Sequence, residues 1–129
     1  MPDSIRIVLI GELIKFIEDT SICSNKVYGY PNFQYNGCYY FAPASKSFTL
    51  SIEALFIINR VAYFKYINRI SCYPVLFDVI KKHEVNNDFT AISIIGKHYK
   101  EWYEQLKAQG KFPQDFQYLN SSQIRWWGF

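Results

Sequence analysis

Residues Ser51–Ile70 read SIEALFIINRVAYFKYINRI, and the fold turns on whether this run is helical. Ile52, Leu55, Phe56, Tyr63, Tyr66, Ile67 and Ile70 recur at the three- and four-residue spacing of one helix face. Ile57, Ile58, Val61 and Phe64 fill much of the remainder. A helix apolar nearly all round packs on several sides, so the pattern predicts a central helix over 51–70. Ser51 is its expected cap, and Phe56 and Ile67 are expected to be buried. The run also holds Glu53, Arg60, Lys65 and Arg69, each costly at bilayer depth, so it is not expected to cross a membrane.

Working outward, residues 3–19 place Ile5, Val8, Leu9, Leu13, Phe16 and Ile17 at helical spacing, with Asp3 or Ser4 as a cap. One helix is predicted there; the rival is a strand over Ile5–Ile10, a turn at Gly11 and then a helix. Pro74 suits a first helical turn, Leu76, Phe77 and Ile80 suit an inward face and Lys81 and Lys82 an outward one, which predicts a helix over Pro74–Glu84. Asn86-Asn87-Asp88 reads as a break and a cap. Residues 89–109 follow as a further helix with Phe89, Ile92, Ile95, Tyr99, Trp102 and Leu106 as its stripe, and Gly110 stops it. The β-branched Thr90, Ile92, Ile94 and Ile95 make a strand the rival there.

The stretch Tyr28–Pro43, YGYPNFQYNGCYYFAP, is uncharged and dense in aromatic residues. Asn36-Gly37 is a strong hairpin signal, because a type I′ turn needs positive φ at both central positions. It would set Tyr35 opposite Cys38 and Phe33 opposite Tyr40. Tyr30-Pro31-Asn32 and Asn36-Gly37 also argue against a membrane span here, since they would leave backbone groups unsatisfied in lipid. The sum is a mainly α single compact domain over residues 1–129, of about four helices with one small β-hairpin. The alternative is α+β with a small sheet.

The 129 residues are half hydrophobic and 19% aromatic, ample for a core without a metal or cofactor to hold it. The formal charge of +3, from 14 basic and 11 acidic residues, is mild for a dedicated duplex binder. The three cysteines, Cys23, Cys38 and Cys72, are odd in number and lack paired short spacing. They are expected to be free thiols, with neither a disulfide framework nor a zinc site. The start MPDSIRIVLIGELIKF has no basic n-region and no small-residue cleavage site, so a cytoplasmic location is expected.

The chemistry-bearing residues are sparse. His83 and His98 are the only histidines. His83 reads as a solvated residue at a helix end beside Glu84. His98 and Glu101 would share a helix face as half a metal site, short of the three ligands that a catalytic zinc needs. Cys38 follows the Gly37 turn, with no local base to activate its thiol. The glycines are scattered, so no phosphate-binding fingerprint is present, and the pairs Glu18-Asp19 and Glu101 with Glu104 read as solvated faces. No catalytic, cofactor or metal residue is therefore expected.

Two binding readings remain. Arg60, Lys65 and Arg69 with interleaved aromatics, and Arg125 before Trp126-Trp127, resemble the way single-stranded nucleic acid is held. Yet these cations are dispersed and interrupted by acids. Protein binding fits the aromatic excess better, because Tyr, Trp and Arg are the usual interface anchors. Successive side chains of an extended segment face opposite ways. Tyr39-Tyr40 and Trp126-Trp127 should therefore each present one ring outward while the other seals the core. The expected partner-binding residues are Tyr39, Tyr40, Arg125, Trp126 and Trp127. The expected function is a small non-enzymatic protein-binding domain, of the immunity-protein or antitoxin kind, whose partner is a toxin or effector. A single-stranded nucleic-acid module is the alternative, and an enzyme with a site assembled from distant residues the third.

Overall fold

The computed structural model describes residues 1–26, 47–65, 74–113, 119 and 121–126. In chain order these form α1 (Asp3–Ile14), β1 (Ile22–Lys26), β2 (Ser47–Thr49), α2 (Leu50–Ala62), β3 (Leu76–Asp78), β4 (His83–Glu84), α3 (Phe89–Gln109) and β5 (Ile124–Trp126). The described residues are thus mainly α, with three helices rather than four. β1 and β2 pair antiparallel, and a three-stranded antiparallel sheet has the order β4-β3-β5. The hairpin expected at Asn36-Gly37 lies outside the described residues.

The Ser51–Ile70 run is helical at its start. Its cap is Thr49 rather than Ser51: the Thr49 hydroxyl accepts from the Ile52 N–H, while Ser51 bonds the same hydroxyl at 2.7 Å. The Leu50 and Ser51 N–H groups are satisfied from outside the helix, by the carbonyls of Ser21 and Asp19. α2 ends at Ala62, short of the expected Ile70; residues 66–73, with Ile67, lie outside the described residues. Ile52, Leu55 and Tyr63 of the expected stripe are buried and Phe56 is only half-buried. Of the residues expected to pack the other sides, Ile58 is buried but Ile57 and Phe64 are exposed, so α2 is not packed all round.

α1 corrects the expected stripe. The helix ends at Ile14, short of the expected residue 19. Ile5, Val8, Leu9 and Phe16 face solvent, Leu13 and the following Ile17 pack on the core as expected, and the buried residues of α1 itself are Arg6 and Ile10. The buried Arg6 explains this. Its guanidinium donates to the carbonyls of Val61 (2.9 and 3.0 Å) and Ala62 at the end of α2, and to Asp3 at 2.9 Å. It also stacks on the Phe112 ring at 3.8 Å and the Phe64 ring at 4.7 Å. One side chain of α1 therefore caps the C-terminus of α2, where carbonyls lack partners and a cation is favoured. Neither Asp3 nor Ser4 caps α1: Pro2 holds that position, with no side-chain bond. Gly11 lets α3 approach, since a Cβ there would collide with the Tyr103 hydroxyl.

α3 follows its sequence signals at both ends. Asp88 Oδ1 accepts from the N–H groups of Thr90 (3.0 Å) and Ala91 (3.2 Å), and Gly110 closes the helix at φ 71°. Ile92, Ile95, Tyr99 and Leu106 are buried, while Phe89 is exposed.

The helix expected over Pro74–Glu84 is instead the β3–β4 hairpin. The Asp78 carboxylate organises a turn there. Oδ1 accepts from the N–H groups of Ile80 (2.9 Å) and Lys81 (2.8 Å), and Lys82 takes the left-handed conformation at φ 59°. Asn86 braces the base, accepting from the Leu76 N–H at 2.7 Å and donating to the Pro74 carbonyl at 2.8 Å. β5 then adds to β3 with Leu76 opposite Trp126 and Phe77 opposite Arg125.

One core gathers these elements, including Ile10, Leu55, Ile58, Ile95, Leu106 and Ile124. At its centre the Tyr99 hydroxyl accepts from Asn59 Nδ2 at 2.6 Å and from Trp126 Nε1 at 2.7 Å. Burial pushes the Tyr99 hydroxyl well above the usual phenol range, so it stays neutral and keeps accepting. Three segments, α2, α3 and β5, are joined at this one oxygen.

Candidate partner-binding surface

The tip of the β3–β4 hairpin is a short loop of four residues, Val79 to Lys82, and its shape is fixed from below. Besides the two N–H groups on Oδ1, Asp78 Oδ2 accepts from Gln123 Nε2 at 2.7 Å, and the Asp78 carbonyl accepts from the Lys82 N–H. The Val79 N–H donates to the Gln123 carbonyl at 3.0 Å, which ties the tip to the segment leading into β5. The Lys81 N–H bond, helped by Gln123 and Ile80, holds the Asp78 carboxyl below the usual carboxylate range, although burial acts against it.

This rigid tip presents apolar side chains to water. Ile80 is 70% exposed and Val79 is exposed beside it. Lys81, Lys82 and His83 follow, all exposed, with His83 Nδ1 2.9 Å from the Glu84 carbonyl oxygen. Next to the tip, the outer face of the sheet carries Arg125, exposed, in one cross-strand row with Phe77 and Glu84. Two exposed apolar side chains, the cations Lys81, Lys82 and Arg125, and the carboxylate of Glu84 therefore lie close together on a hydrogen-bonded backbone.

Among the residues expected to bind a partner, Arg125 is on this surface. Trp126 is the inward member of its pair, 2% exposed, with its ring 5.7 Å from that of Phe56. Tyr39, Tyr40 and Trp127 lie outside the described residues, as do Cys38, Cys72 and Arg69. His98 and Glu101 are both exposed on α3, Glu104 pairs with Lys107, and no group of three or more metal-ligating side chains exists among the described residues. His83 is on a strand, not a helix end. Arg60 in the last turn of α2 and Lys65 just beyond the helix are exposed, apart in sequence and element from Arg125 on β5. A cleft of about 500 Å³ opens beside Arg6, Lys65, Lys111 and Phe112. The Arg6 donors there are already engaged with Asp3, Val61 and Ala62.

Lys81 and Lys82 are exposed as expected, but Val79 and Ile80 were not legible as a surface. Helical spacing put Ile80 on an inward face, and the left-handed position is taken by Lys82, not by the Gly or Asn that marks such a turn. The one available signal was Asp78, two and three residues ahead of the N–H groups that it accepts.

No helix among the described residues is long and apolar enough to cross a membrane. No protein-family model, curated protein or solved structure matches the chain.

Asp78 yields a pH prediction. A carboxylate held more tightly in the folded than in the unfolded chain adds stability above its unfolded value of about 3.9, and loses it as the pH falls through the lower folded value. The gap in melting temperature between the parent and Asp78→Asn should therefore shrink as the pH is lowered below about 4. A gap that stays constant into acid would show that the Asp78 charge does not hold the turn.

Proposed function

We propose that this chain is a small non-enzymatic protein-binding domain, of the immunity-protein or antitoxin kind, which neutralises a toxin by covering part of its surface. The observation that supports this reading is the braced hairpin tip: Ile80 and Val79 held out in water on a backbone fixed by Asp78, with Lys81, Lys82 and Arg125 around them. Contiguous exposed apolar surface rimmed by polar residues marks contact sites, and Val79 and Ile80 stand side by side at the tip. A loop already in its bound shape loses little freedom on association, so more of the contact energy appears as affinity. The cationic rim suits a partner with carboxylates around an apolar recess, and would speed encounter with it.

The test separates binding from folding. Ile80→Asp and Arg125→Ala alter exposed side chains and should leave the melting temperature within a few degrees of the parent's. Each should weaken partner capture by about 2 kcal/mol, some thirtyfold. If both variants capture the partner as well as the parent does, this surface is not the one used. Loss of capture after nuclease treatment would favour a nucleic-acid ligand instead.

A further inference from the structure

A second surface lies where α1 packs against α2. The helices run antiparallel: Arg6 near the start of α1 reaches Val61 and Ala62 at the end of α2, and the Asp19 carbonyl beyond α1 meets the first turn of α2. Leu9, one turn on from Arg6, therefore stands level with Ile58 and its neighbour Ile57. Ile5, Val8, Leu9 and Phe16 of this segment are all exposed, as are Ile57 and Phe64 on the α2 side. At one end Met1, Arg6, Arg60, Val61 and Phe64 line a largely apolar cleft of about 310 Å³.

The charges on this face have an order. Glu53, Ile57 and Arg60 follow one another at helical spacing along the outer side of α2, and Phe64 lies in the turn just beyond its end. Glu53 and Arg60 flank Ile57, about 10 Å apart along the axis. Among the described residues neither takes part in an ion pair; those present join Asp3 to Arg6, Glu12 to Lys15, Glu18 to Lys100 and Glu104 to Lys107. Arg60 only lies over the Phe56 ring, at 5.5 Å. Glu53 is half-buried, and desolvation raises its carboxyl above the usual range with no cation to offset it. An apolar stripe with an anion at one end and a cation at the other is complementary to itself after a half-turn about its middle.

We infer that this face is a homodimer interface in which α2 of two copies lies antiparallel around an axis near Ile57, with Glu53 of each copy against Arg60 of the other. Ile5, Leu9 and Phe64 extend the contact on either side, toward the roughly 800 Å² per subunit of a stable interface. This inference is independent of the hairpin-tip surface, which lies on other elements.

Sedimentation velocity over a concentration series tests it. The parent should dimerise with a dissociation constant on the order of 10 µM or tighter. Arg60→Glu alone and Glu53→Arg alone should each weaken self-association at least about tenfold, by placing like charges in contact. Their equimolar mixture should recover the dimer, because each variant then offers the other two opposite pairs. Unchanged melting temperatures would confirm that both variants fold. A parent that stays monomeric to about 1 mM would overturn the inference. So would a dimer indifferent to both reversals, or a mixture that does not recover it.

Discussion

Trp126→Ala should lower the unfolding free energy by about 3–5 kcal/mol, near the upper end of what a single core truncation removes. Three effects coincide at this side chain. Its ring is fully buried, it packs on Phe56, and its Nε1–H bonds the Tyr99 hydroxyl at 2.7 Å. β5 has only three residues, and Trp126 is one of its two buried anchors, with Ile124 the other. Tyr99→Phe should cost about 2 kcal/mol or more, since it leaves the Asn59 and Trp126 N–H groups in the core without their acceptor. The two losses should not add, because the Tyr99–Trp126 bond is counted in both. Denaturant midpoints of the two single variants and the double variant measure this. Full additivity, or a Trp126→Ala loss below about 1 kcal/mol, would mean that β5 is not docked as described.

Arg6→Met should cost about 2–4 kcal/mol although it replaces a charge with an apolar chain of similar length. The Val61 and Ala62 carbonyls at the end of α2 would lose their donors, and Asp3 its cation. Stacking on Phe112 and Phe64 would go with them. Arg6→Lys should rescue little, because an ammonium cannot repeat a planar fork that spans two carbonyls and a carboxylate. Equal stability for Arg6→Lys and the parent, read from urea midpoints, would reduce Arg6 to a simple charge effect.

These two residues also show why part of the fold was hidden in the chain. α3 was legible end to end because its signals are local: Asp88 caps it, Gly110 stops it, and the stripe through Ile95 and Tyr99 has one period. α1 was legible as a helix but not in orientation. It is apolar on two sides, and the face that wins is chosen by Arg6, whose partners are 55 and 56 residues away. The β3–β4 hairpin was misread for the same reason. Leu76, Phe77 and Ile80 fit a helix as well as a strand, and the decision rests on Gln123 and on β5, some 45 residues on. Of the proposed partner surface, Arg125 was legible as a cation beside two tryptophans, and the inward turn of one tryptophan followed from the alternation of an extended segment. At the tip, the outward lysines Lys81 and Lys82 could be read as well, but the exposure of Val79 and Ile80 could not, once the segment was taken for a helix.

Hydrogen exchange on the chain bound to its captured partner bears most directly on the proposed role. The account predicts that amides of Val79–Lys82 and Ile124–Trp126 gain protection in the complex, while the exposed side of α3 around Lys97 and Glu101 exchanges as in the free chain. Protection confined to α3, or to the end of α2 around Arg60 and Lys65, with the hairpin tip unchanged, would contradict it.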